Sequence, residues 1–231
     1  MGSSRLPGKV LMPLAGEPML CHVVSRVRHA RFVDEVVVAT SELAADDAIE
    51  SLCRDRAIAC VRGSEHDVLS RYRTAAIAHS AEAVVRITSD CPLIDPGEID
   101  SVVRALSEPD AVDYAANIIG SRTFPRGLDT EAMTFATLAR LDQLAVEPAL
   151  REHVTLFVHR NVGAFSTRGV FSAVDWSSQR WTVDTLEDFD LVSRIYDCLG
   201  STDFAWASVL NVMQQHPEWS LINAHIEQKI V

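Results

Sequence analysis

What this 231-residue chain has little of narrows its chemistry first. Its five cysteines, Cys21, Cys53, Cys60, Cys91 and Cys198, are odd in number and contain no Cys-x-x-Cys pair, so neither a disulfide framework nor a zinc site is indicated. No apolar run approaches the roughly 18 residues that a membrane helix needs, and no charged-then-apolar leader opens the chain. A soluble, cytoplasmic protein is the expectation. Basic residues are outnumbered, and the formal charge of −11 disfavours nucleic acid, whose phosphate backbone calls for a basic face. None of the histidines stands at His-x-His or His-x-x-x-His spacing, so none is assigned to a metal.

What is present is a large apolar fraction, 48%, ample for a buried core in one compact unit spanning residues 1–231. β-Branched runs at 35–40, 58–61 and 83–88 read as strands buried on both faces. Helical patterns at about 18–30, 43–55, 66–81 and 96–107 alternate with them. Such alternation predicts a doubly wound α/β sheet, whose ligands bind beyond the carboxyl ends of the strands. After about residue 110 the alternation weakens. Short extended segments near 112–116, 130–134, 164–174 and 179–183 suggest an antiparallel edge or subdomain, followed by a helix over 186–199 and one or two more over 204–229. The chain thus divides into a regularly alternating half (1–110), a less regular half (111–185) and C-terminal helices (186–231).

Three constellations carry chemistry. In Ser3-Ser4-Arg5-Leu6-Pro7-Gly8-Lys9, small residues let backbone amides approach a ligand while Arg5 and Lys9 add fixed positive charge, as a polyphosphate requires. A solvated turn has the same composition. In Thr88-Ser89-Asp90-Cys91-Pro92-Leu93-Ile94-Asp95-Pro96, the prolines force the chain out of the sheet and leave Asp90 at a strand end, where a hard cation would bind. Asp95 reads as a helix cap and Cys91 as packed, with no base beside it. In Arg180-Trp181-Thr182-Val183-Asp184-Thr185-Leu186-Glu187-Asp188, Asp184 either caps the next helix or reaches the cation of Asp90. Arg126, Asp129 and Glu131, with Arg151, Glu152 and His153, are further polar candidates, for the last three of which a solvated helical face is the simpler reading.

The ordered set SSRLPGKVL, GEPML, RGSEHDVLSRY, VVRITSDCPLIDP, FPRGLDTE, REHVT and RWTVDTLEDFDLV resembles the spore coat polysaccharide biosynthesis protein F family. That family is related to the cytidylyltransferases that activate 3-deoxy-manno-octulosonate and acylneuraminate. The resemblance implies a nucleotide-diphosphosugar transferase-like α/β fold: a mixed, mainly parallel sheet with helices on both faces and a small antiparallel subdomain. It implies transfer of CMP from CTP to an acidic sugar or similar acceptor, magnesium as cofactor and a homodimer. Arg5 and Lys9 match triphosphate contacts, with Ser3, Ser4 and Gly8 in the same loop. Asp90 and Asp184 match magnesium-binding carboxylates, and Gly63, Ser64 and Asp67 lie toward the base or ribose. Arg126, Asp129, Glu131, Arg151 and His153 would face the acceptor pocket or the dimer contact. In the family an apolar strand ending in Gln-Ala-Arg precedes the Met-Gly-Ser-Ser of this loop. This chain begins after it, and the expected reason is a start assigned at an internal methionine. A glycosyltransferase on a related fold is a rival reading, against which the one Asp-x-Asp, Asp188-Phe189-Asp190, falls inside a predicted helix and not at a strand end. A non-catalytic nucleotide-binding homologue is another.

Overall fold

Two residues with positive φ, Ala15 and Gly16, close a two-residue hairpin between Pro13–Leu14 (β1) and Glu17–Pro18 (β2), the turn chemistry such a short loop demands. In the computed structural model, which describes residues 1–3 and 5–228, the hairpin leads into Met19–Arg28 (α1). Then follow Val37–Ser41 (β3), Asp47–Asp55 (α2), Ala59–Gly63 (β4), Val68–Ala78 (α3), Ala83–Arg86 (β5) and Pro96–Ser107 (α4). β3 and β4 pair in parallel, from Val37 opposite Ala59 to Ser41 opposite Gly63. α4 starts where Asp95 accepts the Gly97 and Glu98 amides at 2.8 and 3.1 Å, with Pro96 in its first turn, so Asp95 is a cap.

The second half supplies Tyr114–Ala116 (β6), Glu131–Thr134 (β7), Phe135–Leu144 (α5), Pro148–Glu152 (α6), Leu156–Arg160 (α7), Thr167–Gly169 (β8), Leu186–Leu199 (α8) and Trp206–Gln215 (α9). A four-stranded sheet runs β5-β7-β6-β8, with β7 antiparallel to both neighbours and β6 parallel to β8. The architecture is the expected mixed α/β fold. Segment 179–183, expected to be extended, makes only a single backbone bridge, between Arg126 and Arg180. Helices α5 to α7 stand where the sequence showed little regularity. Thr134 caps α5, and Leu138 and Leu141 of that helix are fully buried against Tyr114 and Met133.

The expectation that the first strands are buried on both faces needs correction. Val37, Val38, Val84 and Val85 are only half-buried, and among the described residues no strand joins β3 to β5, although Val36, Val85 and Ile87 border one apolar cluster. The largest cluster lies instead where α1, α8 and α9 pack, around Met19, Trp181, Ile195, Tyr196 and Val209. Among the described residues no helix is long and apolar enough to cross a membrane.

Candidate active site

The opening loop is built to turn Lys9 inward. The Ser3 hydroxyl oxygen accepts the Leu6 amide at 3.3 Å, and Gly8 takes a left-handed φ of 74°, which lets Lys9–Leu11 form one tight 3-10 turn. Lys9 is thereby buried, and its ammonium donates to the Val183 carbonyl at 2.7 Å, Asp184 Oδ1 at 2.9 Å and Asp90 Oδ2 at 3.3 Å. Arg5 reaches the other oxygen, Asp184 Oδ2, at 2.9 Å. Ser4 lies outside the described residues. Two carboxylates 94 positions apart in sequence thus share one ammonium.

Backbone stitching explains why they converge. The Asp90 carbonyl accepts the Val183 amide at 2.8 Å and the Thr182 hydroxyl at 3.2 Å, so the end of the 180–184 run is clamped to the turn after β5. The Thr88 hydroxyl fixes Asp90 Oδ1 at 2.5 Å, and the Tyr196 hydroxyl on α8 donates to the Pro92 carbonyl at 2.7 Å. Burial alone would discourage charge on Asp184, but Lys9, Arg5 and Arg180 override it and hold its carboxyl below the ordinary range. Cys91 is the reverse case. Burial, with the charges of Asp90 and Asp129, pushes its thiol far up, so it is packed and not a nucleophile.

A cavity of about 380 Å³ opens over this cluster, lined by Ser3, Arg5, Gly8, Lys9, Ser89 and Asp184 among others. Its donors suit a hard divalent cation. Asp90 and Asp184 both reach the Lys9 ammonium, so a divalent cation that displaced it would meet carboxylate oxygens from two elements. No cluster of three or more His, Cys, Asp or Glu exists among the described residues, so further ligands would be water and phosphate oxygens, as magnesium prefers.

The residues expected near base and ribose do not line this cavity. Gly63 is packed by Arg71, whose Cγ would lie 2.8 Å from an added Cβ. The Ser64 hydroxyl accepts the Asp67 amide, and Asp67 caps α3 while Arg151 grips its carboxylate at 2.8 and 2.9 Å. The acceptor set is not assembled at one place. Glu131 is 1% exposed within β7, where it pairs with Arg86 and accepts the Tyr114 hydroxyl at 2.6 Å. Arg151 also binds Asp142, so its fork is spent on tying α6 to α3 and α5. Both are therefore struts: ion pairing inside the protein outcompeted exposure to a ligand. Asp129 is held bidentately by Arg122, and His153 is half-buried at the end of α6. Arg126 lines a second cavity, of about 230 Å³, shared with Arg180, Asn223 and Gln228.

Arg180, Ser89 and Asp188 lie within the sequence constellations but were given no site role there, and Asn223 was missed altogether. The spacing of Arg180 to Asp184 and Asp188 was visible as one arginine before two acids. The Asp-x-Asp pair is not at the pocket. Asp188 is fully buried and accepts from Arg180 and Asn223, whereas Asp190 pairs with Arg194 on the exposed face of α8.

Comparison with known proteins bears on the whole of this arrangement. The sequence model of a family described as Cytidylyltransferase matches residues 1–216. The spore coat polysaccharide biosynthesis protein SpsF of Bacillus subtilis is 29% identical over 226 residues, covering 94% of this chain and 92% of that protein. A solved structure of a cytidylyltransferase from Leptospira borgpetersenii superposes with a TM-score of 0.91 at 31% identity, over 100% of this chain and 95% of its own. CMP:2-keto-3-deoxy-manno-octonic acid synthetase, solved with CTP, shares the fold at a TM-score of 0.63 and 20% identity, over 85% of this chain and 94% of that one.

Proposed function

Because this chain belongs to the cytidylyltransferase family, we propose that it transfers CMP from CTP to an acidic sugar or related acceptor, releasing pyrophosphate, in the synthesis of a surface polysaccharide or glycoconjugate. The observation that carries this reading is the meeting of Lys9 with Asp90 and Asp184 beneath a cavity walled by Arg5, Ser3 and Gly8. An acceptor oxygen attacks the α-phosphorus, the new P–O bond forms as the bond to the β-phosphate oxygen breaks, and the acceptor proton leaves to solvent. Arg5 and Lys9 neutralise the charge that develops on the departing pyrophosphate. Asp90 and Asp184 would hold magnesium, which when bound would supply Lewis-acid polarisation of the phosphoryl group. The Asp-x-Asp pair lies within α8 and away from the pocket, which counts against the glycosyltransferase reading.

The test is a pyrophosphate-release screen of the four nucleoside triphosphates against acidic sugars and phosphorylated or phosphonate acceptors, with magnesium. Release from CTP with one acceptor class is expected, and Asp90→Asn is expected to lower turnover by about a hundredfold or more. No release from CTP with any acceptor, or undiminished turnover in Asp90→Asn, overturns the assignment.

A further inference from the structure

Asp184 is held from behind by a network that begins in the C-terminal segment. Arg180 is 9% exposed and spends its fork on three partners. Its Nε and Nη2 bind Asp188 at 2.8 and 3.0 Å, Nη2 also binds Asp184 Oδ2 at 2.9 Å, and Nη1 donates to Gln228 Oε1 at 2.7 Å. Asp188 in turn accepts the backbone amides of Asp184 and Thr185 at 2.9 and 3.1 Å. The Asp184 residue is therefore fixed at both ends, its amide by Asp188 and one carboxylate oxygen by Arg180, which leaves Oδ1 aimed at the Lys9 ammonium.

Asn223 locks this assembly. It is 4% exposed, and its side-chain amide donates to the Arg180 carbonyl at 3.0 Å and to Asp188 Oδ1 at 2.8 Å, joining the first and last members of the 180–188 run. The family match ends at residue 216, so Asn223 and Gln228 belong to a part of the chain outside it. A fully buried carboxylate with five donors around it is an expensive arrangement to build by chance, and it surrounds the residue whose aim matters most.

We propose that Arg180 and Asn223 are positioning residues for the cation carboxylate Asp184, and that residues 217–228 are a working part of the site. The inference rests on the reading of Asp184 as a cation ligand in nucleotide transfer. Outer partners that orient a ligating side chain typically change metal affinity by about 10–100-fold when removed. Asn223→Ala unhooks the network without adding a charge. Arg180→Lys keeps the charge but gives up the planar fork.

The full-length wild type, Asn223→Ala, Arg180→Lys and Arg180→Met are compared by two readouts that need no turnover. One is Mn2+ affinity in the presence of a non-reactive CTP analogue, followed by electron paramagnetic resonance of free Mn2+. The other is affinity for the same analogue in EDTA. Asn223→Ala is expected to bind Mn2+ about tenfold or more weakly while analogue affinity in EDTA stays within about twofold of wild type. Arg180→Lys is expected to fall between wild type and Arg180→Met. A merely structural role would lower both affinities together or neither. Unchanged Mn2+ affinity in Asn223→Ala, or parallel loss of both affinities in all variants, overturns the positioning role alone. Failure of the wild type to bind the analogue at all overturns the functional reading and this inference with it.

Discussion

Replacing Lys9 by methionine keeps an unbranched stem of similar length and deletes the ammonium. Three acceptors lose a donor, the Val183 carbonyl, Asp184 Oδ1 and Asp90 Oδ2. Removing one partner of a fully buried charge pair costs about 3–5 kcal/mol, but here compensation is partial. Asp184 keeps Arg5 and Arg180, Asp90 keeps the Thr88 hydroxyl, and the Asp90 side chain is 25% exposed and can take up water. About 2 kcal/mol is the expected loss in EDTA, or roughly 4–8 °C in Tm for a chain of this size. The variant also opens the space between two carboxylates, so a divalent cation has more to gain there. With no nucleotide present, Mg2+ at ten times its Kd would return about 1.4 kcal/mol to the variant and much less to the wild type, whose own ammonium holds the position. The assay is thermal unfolding followed by tryptophan fluorescence, with buried Trp181 among the reporters, in EDTA and across a Mg2+ series. Pyrophosphate release is measured in parallel and is expected to drop about a hundredfold or more. A variant that melts with the wild type in EDTA, and that gains no more than the wild type from Mg2+, refutes the picture of Lys9 as the internal counter-charge of Asp90 and Asp184.

Other outcomes follow from features away from the cavity. Gly127 has a φ of +104°, and a Cβ there would sit 2.6 Å from the Trp181 carbonyl carbon and 2.7 Å from the Thr182 nitrogen, so Gly127→Ala is expected to destabilise the protein by more than about 3 kcal/mol, seen as a collapse of soluble yield or Tm. Burial works against charge on Glu131, but Arg86 foremost, with His159, Thr155 and Tyr114, holds its carboxyl down to about 2. The folded value lies below the ordinary carboxyl value of about 4.3, so its contribution is complete above that pH and is lost as pH falls toward 2. Melting curves from pH 6 to 2 are expected to show this decline, and Glu131→Gln to be less stable at neutral pH but flatter across the acid range; equal acid slopes would exclude Glu131 as the cause.

Local chemistry was the legible part. Pro92 and Pro96 announce that the chain leaves the sheet after Thr88, and Asp95 caps α4 where an Asp before Pro-Gly-Glu should. The identities of Lys9, Asp90 and Asp184 as charged residues at element ends could be read directly, but not that one ammonium would meet both acids, since that depends on Val183 being stitched to the Asp90 carbonyl. The internal partners of Glu131 and Arg151 were hidden for a related reason. A charged residue in sequence looks like a ligand-facing group, and nothing in its neighbours tells that Arg86 or Asp67 will neutralise it internally. Helices α5 to α7 were obscured because two of them are only five residues long, too short to show a period. Asn223 lies 35 positions beyond Asp188, and no spacing rule connects them.

The ammonium of Lys9 meets partners 81 and 175 positions further along the chain. Synthesis proceeds from the N-terminus at about 5–20 residues per second, so Asp184 is made roughly 9–35 s after Lys9. For the last part of that interval Asp90, made roughly 4–16 s after Lys9, is the one acid of the pair that the opening loop can meet, and no local helix or hairpin can complete the site. Closure is a late event of high contact order, and it requires the nearly finished chain to have found its topology. Competence to bind a cation would therefore appear only in molecules whose distant ends have met, which makes Mn2+ uptake during refolding a direct clock for the final step.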